Sequence, residues 1–200
     1  MTKRNDILST ALRLFNEHGY HAVGVDRIRD EARVSKMTLY NHFSNKEKLV
    51  EEVLKLRHDI FKRSLSQSIA NFELPLDKLR EVFNWHARWF FSRDFHGCMF
   101  IKATGEFHDT PGFIAISQNH KAWVAKTLKV ILTEVGDPTP ELTANMYQVV
   151  LDGMIVNASI FNSFDQINDI WIGVCKYHGF PQKELDRPSD DFSFSVGSTS

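Results

Sequence analysis

The sequence predicts an all-α fold, and three observations carry that expectation. Apolar residues recur three and four apart through most of the chain, the spacing that lines one face of a helix. Glycine and proline mostly fall between those runs, at Gly19, Pro75, Gly97, Pro111-Gly112, Gly136 and Pro138. Residues suited to start a helix stand just ahead of several runs, notably Ser35, Ser44 with Glu47 three positions on, and Thr139-Pro140-Glu141.

The first helix is expected over residues 3–18. Ile7, Leu8, Ala11, Leu12, Leu14 and Phe15 form its apolar stripe, Gly19 sits where a left-handed cap belongs, and Lys3 and Arg4 are in reach of a phosphate. Between 25 and 43 the pattern shortens to two brief helices. Val25, Ile28 and Ala32 line the first, Arg33-Val34 breaks the period, Ser35 caps the second, and Leu39 and Phe43 face inward from it. Its outer face carries Lys36, Thr38, Tyr40, Asn41 and His42. Two short helices joined by a tight turn, the second with a hydrogen-bonding outer face, describe a helix-turn-helix DNA reader.

Ser44 to Glu47 reads as a capping box opening a long helix over about 46–70, with Leu49, Val50, Val53, Leu54, Ile60, Phe61, Leu65 and Ile69 in a broad stripe. A helix over 76–93 carries Leu79, Val82, Phe83, His86 and Phe90 on one side and Trp85 and Trp89 on the next. A short apolar run spans 98–107, and another helix spans 113–135 with Ile116, His120, Trp123, Val124, Leu128, Ile131 and Leu132. The helix after Thr139 runs to about 164 and is apolar nearly all round, so it must be covered on both sides. The last helix, 165–178, carries Ile167, Ile170, Trp171, Val174 and Tyr177. From 181 to 200 the composition turns polar, with Phe192 and Phe194 isolated in it, which predicts a mobile tail.

The stretch from Ile7 to Val53 resembles the DNA-binding domain of the tetracycline-repressor (TetR) family. Ala11, Leu14, Phe15, Gly19, Val25, Ile28, Ala32, Val34-Ser35-Lys36, Thr38-Leu39-Tyr40, His42-Phe43, Lys46-Glu47 and Leu49 carry the resemblance, in order and at the family's spacing. Gly97-Cys98-Met99-Phe100-Ile101 with Glu106-Phe107 resembles, more weakly, the ligand-binding half of one branch. The resemblance implies a three-helix reader over 1–48, a helical ligand-binding and dimerisation domain over 49–180, about nine helices in all, and a tail over 181–200. It also implies a homodimeric, ligand-responsive repressor whose partners are an operator in double-stranded DNA, a second copy of itself and a small, mostly apolar or aromatic molecule. Three positions depart from the family's usual residues. Gly24 replaces a capping Ser or Thr, Arg33 replaces a turn Gly, and Met37 replaces a frequent Gly, which together point to a different operator.

Reach and chemistry divide the work of the reader. Lys36 donates to guanine O6/N7, while Met37 and the Thr38 methyl suit a thymine methyl. Tyr40, His42 and Lys46 suit phosphate oxygens, Asn41 suits either, and Arg27 and Ser35 complete the expected DNA-binding set. Charge agrees with this division. Residues 1–48 hold nine basic and six acidic side chains, whereas the chain as a whole has net charge −1. A basic head on an acidic body suits DNA reading by one end only.

Three readings compete for the body. In the first, Phe61, Phe83, Trp85, His86, Trp89, Phe90, Cys98, Phe100, Phe107, Trp123, Met154 and Asn157 line a ligand pocket, with His108 nearby. In the second, His86, His96, Cys98, His108 and His120 hold a metal or sense oxidation, although no Cys-x-x-Cys or His-x₃-His spacing occurs there. In the third, Cys98 is an enzyme nucleophile, but no orienting group accompanies it. The first is favoured, without catalysis, cofactor or metal. A dimer seam is expected along Met146, Val150, Met154, Phe161, Ile170 and Trp171, with Gly153 permitting close helix approach. Two cysteines are too few for a disulfide framework, and neither a signal peptide nor a membrane-spanning run stands out, so a cytoplasmic protein is expected.

Overall fold

The computed structural model describes residues 2–189 of the chain. Among them the elements are nine α-helices: α1 Lys3–His18, α2 Val25–Glu31, α3 Lys36–His42, α4 Lys46–Ile69, α5 Pro75–Phe90, α6 Met99–Glu106, α7 Pro111–Val135, α8 Pro140–Phe161 and α9 Phe164–His178. The all-α expectation holds, and the helix order is the one periodicity anticipates. Within the described residues the chain gathers into two compact units, one of 2–62 with 98–120 and the other of 63–97 with 121–189.

The first unit is built on α1. Ile7, Leu14, Phe15, Tyr20, Ile28, Leu39 and Phe43 are buried, and α1 contacts both α2 and α3. Removing so many large side chains from water is the main force closing so small a head, roughly 1.5–3 kcal/mol for each. In the second unit α5, α8 and α9 pack on one another, with the Phe83 ring 4.7 Å from Trp171 and 5.9 Å from Tyr147.

Several helix ends differ from expectation in how they are satisfied. Gly19 has φ +82 and ψ 172, a positive-φ cap that is not the left-handed helical one. At α4 the cap is Asn45, whose Oδ1 accepts the Lys48 N–H at 2.7 Å, rather than Ser44. Thr139 precedes α8 without a side-chain capping bond. Asp137 Oδ1 instead accepts the Thr139 N–H at 2.7 Å and the Thr143 hydroxyl at 3.1 Å. A carboxylate two residues upstream reaches donors that a hydroxyl on the cap itself does not.

The tail expected to be mobile is tied down over 181–189. The Trp171 indole N–H donates to the Lys183 carbonyl at 2.8 Å, and the Leu185 N–H donates to Asn168 Oδ1 at 2.9 Å. Asn84 exchanges two bonds with Asp186, and the buried Arg80 donates to Asp186 and to the Glu184 carbonyl. Leu185 is buried as the apolar plug of this strap. Phe192 and Phe194 lie outside the described residues.

Candidate nucleic-acid interface

The reader begins at a strained turn. Gly24 occupies the N-cap of α2 with no side-chain bond, and Arg33 adopts φ +52, the left-handed region that a glycine would enter freely. That turn lets the Arg33 N–H reach the Asp30 carbonyl and the Val34 N–H reach the Arg29 carbonyl, both at 3.1 Å, so the end of α2 is satisfied before α3 starts. Ser35 then caps α3, its Oγ accepting the Thr38 N–H at 3.0 Å. Leu39 and Phe43 turn inward, while Lys36, Met37, Tyr40, Asn41 and His42 are exposed, Met37 at 72 %. One short helix thus exposes a cation, an apolar side chain, two aromatic rings and a carboxamide on one outer face.

The remaining expected DNA contacts sit differently. Thr38 is half-buried and its hydroxyl lies 2.8 Å from Ser35 Oγ, so Ser35 serves the turn. Arg27 binds Glu31 at 2.9 Å and contacts His18 Nε2 at 3.0 Å. Hydrogen bonds from Arg27 and Arg13 hold the Glu31 carboxyl below its usual range. Lys46 is half-buried, and burial lowers its pKa from the usual lysine value.

The aromatic set expected to line one pocket divides into several settings. His86 lies between Trp85, Trp89 and Phe90, with ring centroids 5.0, 6.3 and 6.1 Å away. Phe83 packs instead on Trp171 and Tyr147. In the first unit Phe100 stacks on His120 at 3.8 Å, and Phe61 meets the same imidazole edge-on. Phe107 packs on Phe113, Tyr20 and His21. Cys98 is buried at the N-cap of α6, Trp123 and Asn157 are half-buried, and Met154 is fully buried. His96 and His108 are exposed, and among the described residues no group of three or more His, Cys, Asp or Glu is placed to hold a metal ion. Periodicity did not point to the cleft of about 630 Å³ between α7 and α8, lined by Ala122, Ala125, Lys129, Val130, Glu141 and Ala144 among others.

The seam residues also need correction. Met154 and Trp171 face the interior of their unit, at 0 % and 3 % exposure, and cannot line a surface. The exposed apolar stripe of α8 is Leu142, Met146, Val149, Val156 and Ile160, with Gly153 in line and Phe161 beside its end. Val150 and Ile170 are half-buried. The nearly all-round apolar pattern had hidden which side was inner.

Residues 7–53 match the family model described as bacterial regulatory proteins, tetR family. The HTH-type transcriptional activator FasR of Mycolicibacterium smegmatis is 40% identical over 67 residues, 34% of this chain and 31% of that protein. The HTH-type transcriptional repressor KstR2 of the same organism is 34% identical over 82 residues, 41% of this chain and 40% of that protein. The chain therefore spans about a third to two fifths of the length of these curated relatives. Over the whole fold, the crystal structure of a TetR-family transcriptional regulator from Streptomyces coelicolor superposes with TM-score 0.80 at 28% identity, covering 86% of this chain and 92% of that one. Residues 7–53 of this chain match the TetR family's DNA-binding region, and its helices follow the fold of a TetR-family structure.

The matched stretch holds α2 and α3, the helix-turn-helix for which these relatives are named. Arg33 and Met37 mark where it differs from the family's habit, one by taking up a positive φ without glycine and the other by extending an apolar side chain from α3. Glu106, expected only as part of the ligand-binding half, instead ties α6 to the turn after α1 together with Tyr20 and Lys102, neither of which the sequence singled out. A carboxylate at the end of a short apolar run was the one available signal, and its partners lie 85 and 86 positions away.

Proposed function

We propose that the protein is a homodimeric, ligand-responsive repressor of the TetR family, reading a palindromic operator with one α3 per half-site. The observation that carries the reading is the outer face of α3, where Lys36, Met37, Tyr40, Asn41 and His42 stand exposed on a buried Leu39–Phe43 footing. Lys36 and Met37 lie in the first turn of α3, the part of a recognition helix that meets base edges, and Thr38 offers its methyl from the same turn. Tyr40, His42 and Lys46 serve phosphates, and Asn41 serves a base or a phosphate. Arg27, paired with Glu31, steadies α2 rather than reading DNA.

The stripe of α8 supports the dimer. Leu142, Met146, Val149, Gly153, Val156 and Ile160 follow one another at spacings of four and three, the repeat of a helix that packs along another helix. A ligand that binds the body regulates by differential affinity for two states. A 100-fold loss of operator affinity needs about 2.7 kcal/mol of coupling. The relatives include both an activator and a repressor, and the repressor reading follows the family's usual habit.

Fluorescence anisotropy with the duplex upstream of the protein's own gene, against random duplex at fixed salt, tests the reading. Saturable binding of two protomers per palindrome, lost with rising salt, is the expected result. Equal affinity for random duplex and for duplexes selected from a random pool would remove the operator-reading function.

A further inference from the structure

Glu106 closes the last turn of α6, outside the 7–53 stretch that marks the family, yet its carboxylate is spent on that stretch. Oε1 accepts the Tyr20 backbone N–H at 3.0 Å, and Oε2 accepts the His21 backbone N–H at 2.6 Å. The His21 ring Nδ1 also lies 3.4 Å from Oε2. Two successive amides are aimed at one carboxylate because the residue before them, Gly19, has φ +82. The same glycine leaves the space the carboxylate fills, since a Cβ there would stand 2.9 Å from Oε1. A charged acceptor on two amides makes bonds roughly twice as strong as neutral ones.

Other ties join α6 to the same place. The Tyr20 hydroxyl donates to the Met99 carbonyl at 2.8 Å, and Lys102 Nζ donates to the Asn16 carbonyl at 2.9 Å. The Phe107 ring lies 5.6 Å from Tyr20 and 4.8 Å from His21. The turn so held is the covalent link from α1 to α2 and α3, which also pack directly on α1.

We propose that Glu106 is a positioning residue for the DNA reader, holding the Gly19–Tyr20–His21 turn so that α3 meets the operator groove at its working angle. This rests on the DNA-reading function proposed above. Positioning and bulk electrostatics make opposite demands on it. Burial lowers the pKa of Lys46 and the charge of Glu106 opposes that, so the carboxylate is felt at an edge of the head where a phosphate contact is proposed. Removing a negative charge there, taken alone, strengthens attraction for DNA. Loss of positioning weakens it.

The test uses the full chain with Glu106→Gln and Glu106→Ala, and a palindromic duplex enriched from a random pool by the unaltered protein. Amide exchange at Tyr20 and His21, far-UV circular dichroism, and affinity for the enriched and random duplexes are read on each. Glu106→Ala is expected to lower affinity for the enriched duplex about tenfold, equivalent to about 1.4 kcal/mol, with random-duplex affinity level or higher. Exchange at the two amides should quicken by a similar factor, with helical content unchanged. Glu106→Gln, which keeps one acceptor oxygen and no charge, should fall between. Should Glu106→Ala fold poorly, Lys102→Met, which loosens the neighbouring tie, is expected to shift binding in the same direction. Unchanged or tighter binding of the enriched duplex by the folded variants overturns the proposal, whatever the exchange shows. Failure of the unaltered protein to enrich any duplex overturns the DNA-reading function instead, while amide exchange still reports the hold of Glu106 on the turn.

Discussion

Gly19 and Glu106 occupy complementary space, the carboxylate Oε1 standing 2.9 Å from where a Cβ on the glycine would be. The glycine also holds φ +82 with ψ 172, a combination that residues with side chains scarcely adopt. Gly19→Ala therefore carries both backbone strain and displacement of the carboxylate, a loss of roughly 1–3 kcal/mol from the first cause alone. Gly105→Ala, within α6 and with open space around its Cβ position, is the control and should gain about 0.5–1 kcal/mol. Urea unfolding of the two variants measures the contrast, and equal stability would show that the turn relaxes freely.

Lys36 and Lys46 are expected to lose different things when truncated. Lys36 is exposed at the start of α3, and Lys36→Ala should cost about 1–3 kcal/mol on the operator and relax preference at one base position. Lys46 is half-buried beside the reader, and Lys46→Ala should weaken operator and random duplex alike while reducing the salt slope by about 1. Anisotropy titrations at several salt concentrations separate the two. Parallel losses on both duplexes would merge their roles.

The outer stripe of α8 makes the dimer testable without touching the core. Val149 is 66 % exposed at its centre, so Val149→Arg should leave the monomer folded and break the pair. Sedimentation equilibrium is expected to show a folded monomer at micromolar concentration. A dimer of unaltered strength would move the interface off this stripe. Met154→Arg tests something else, because Met154 is wholly buried and an unpaired charge there unfolds the unit.

His86 makes stability sensitive to acid. Burial disfavours the charged ring and pushes its pKa down to about 4, outweighing the Nδ1–H bond to the Val82 carbonyl at 2.7 Å, which favours the proton. An unfolded histidine takes up its proton near pH 6.5, before the folded one does. The stabilisation is thus complete above about pH 6.5 and is lost as pH falls toward 4, a change on the order of 3 kcal/mol. Chemical denaturation of the protein and of His86→Phe across that window is the check. A variant with the same acid slope would place the effect on other groups.

The helices themselves were legible from spacing. A period of three and four, punctuated by glycine and proline, located α1 through α9 because helix formation depends on neighbours a turn apart. The outer face of α3 was legible for the same reason, with Ser35, Leu39 and Phe43 announcing its cap and its inner side. Arg33 showed where a turn was needed, and the positive φ followed from the shape of the motif.

Tertiary structure decided everything that depends on partners far along the chain. It set the inner side of α8, which the pattern could not assign because both sides are apolar, and so moved Met154 and Trp171 from a seam to the interior. It divided the aromatic residues among separate clusters and strapped residues 181–189 onto Asn84, Asn168 and Trp171. Glu106 belongs here too, since a carboxylate and two amides more than eighty positions apart have no common period. Periodicity reports only the local turn of the helix. Contacts between helices arise from packing in three dimensions, where sequence distance has no meaning.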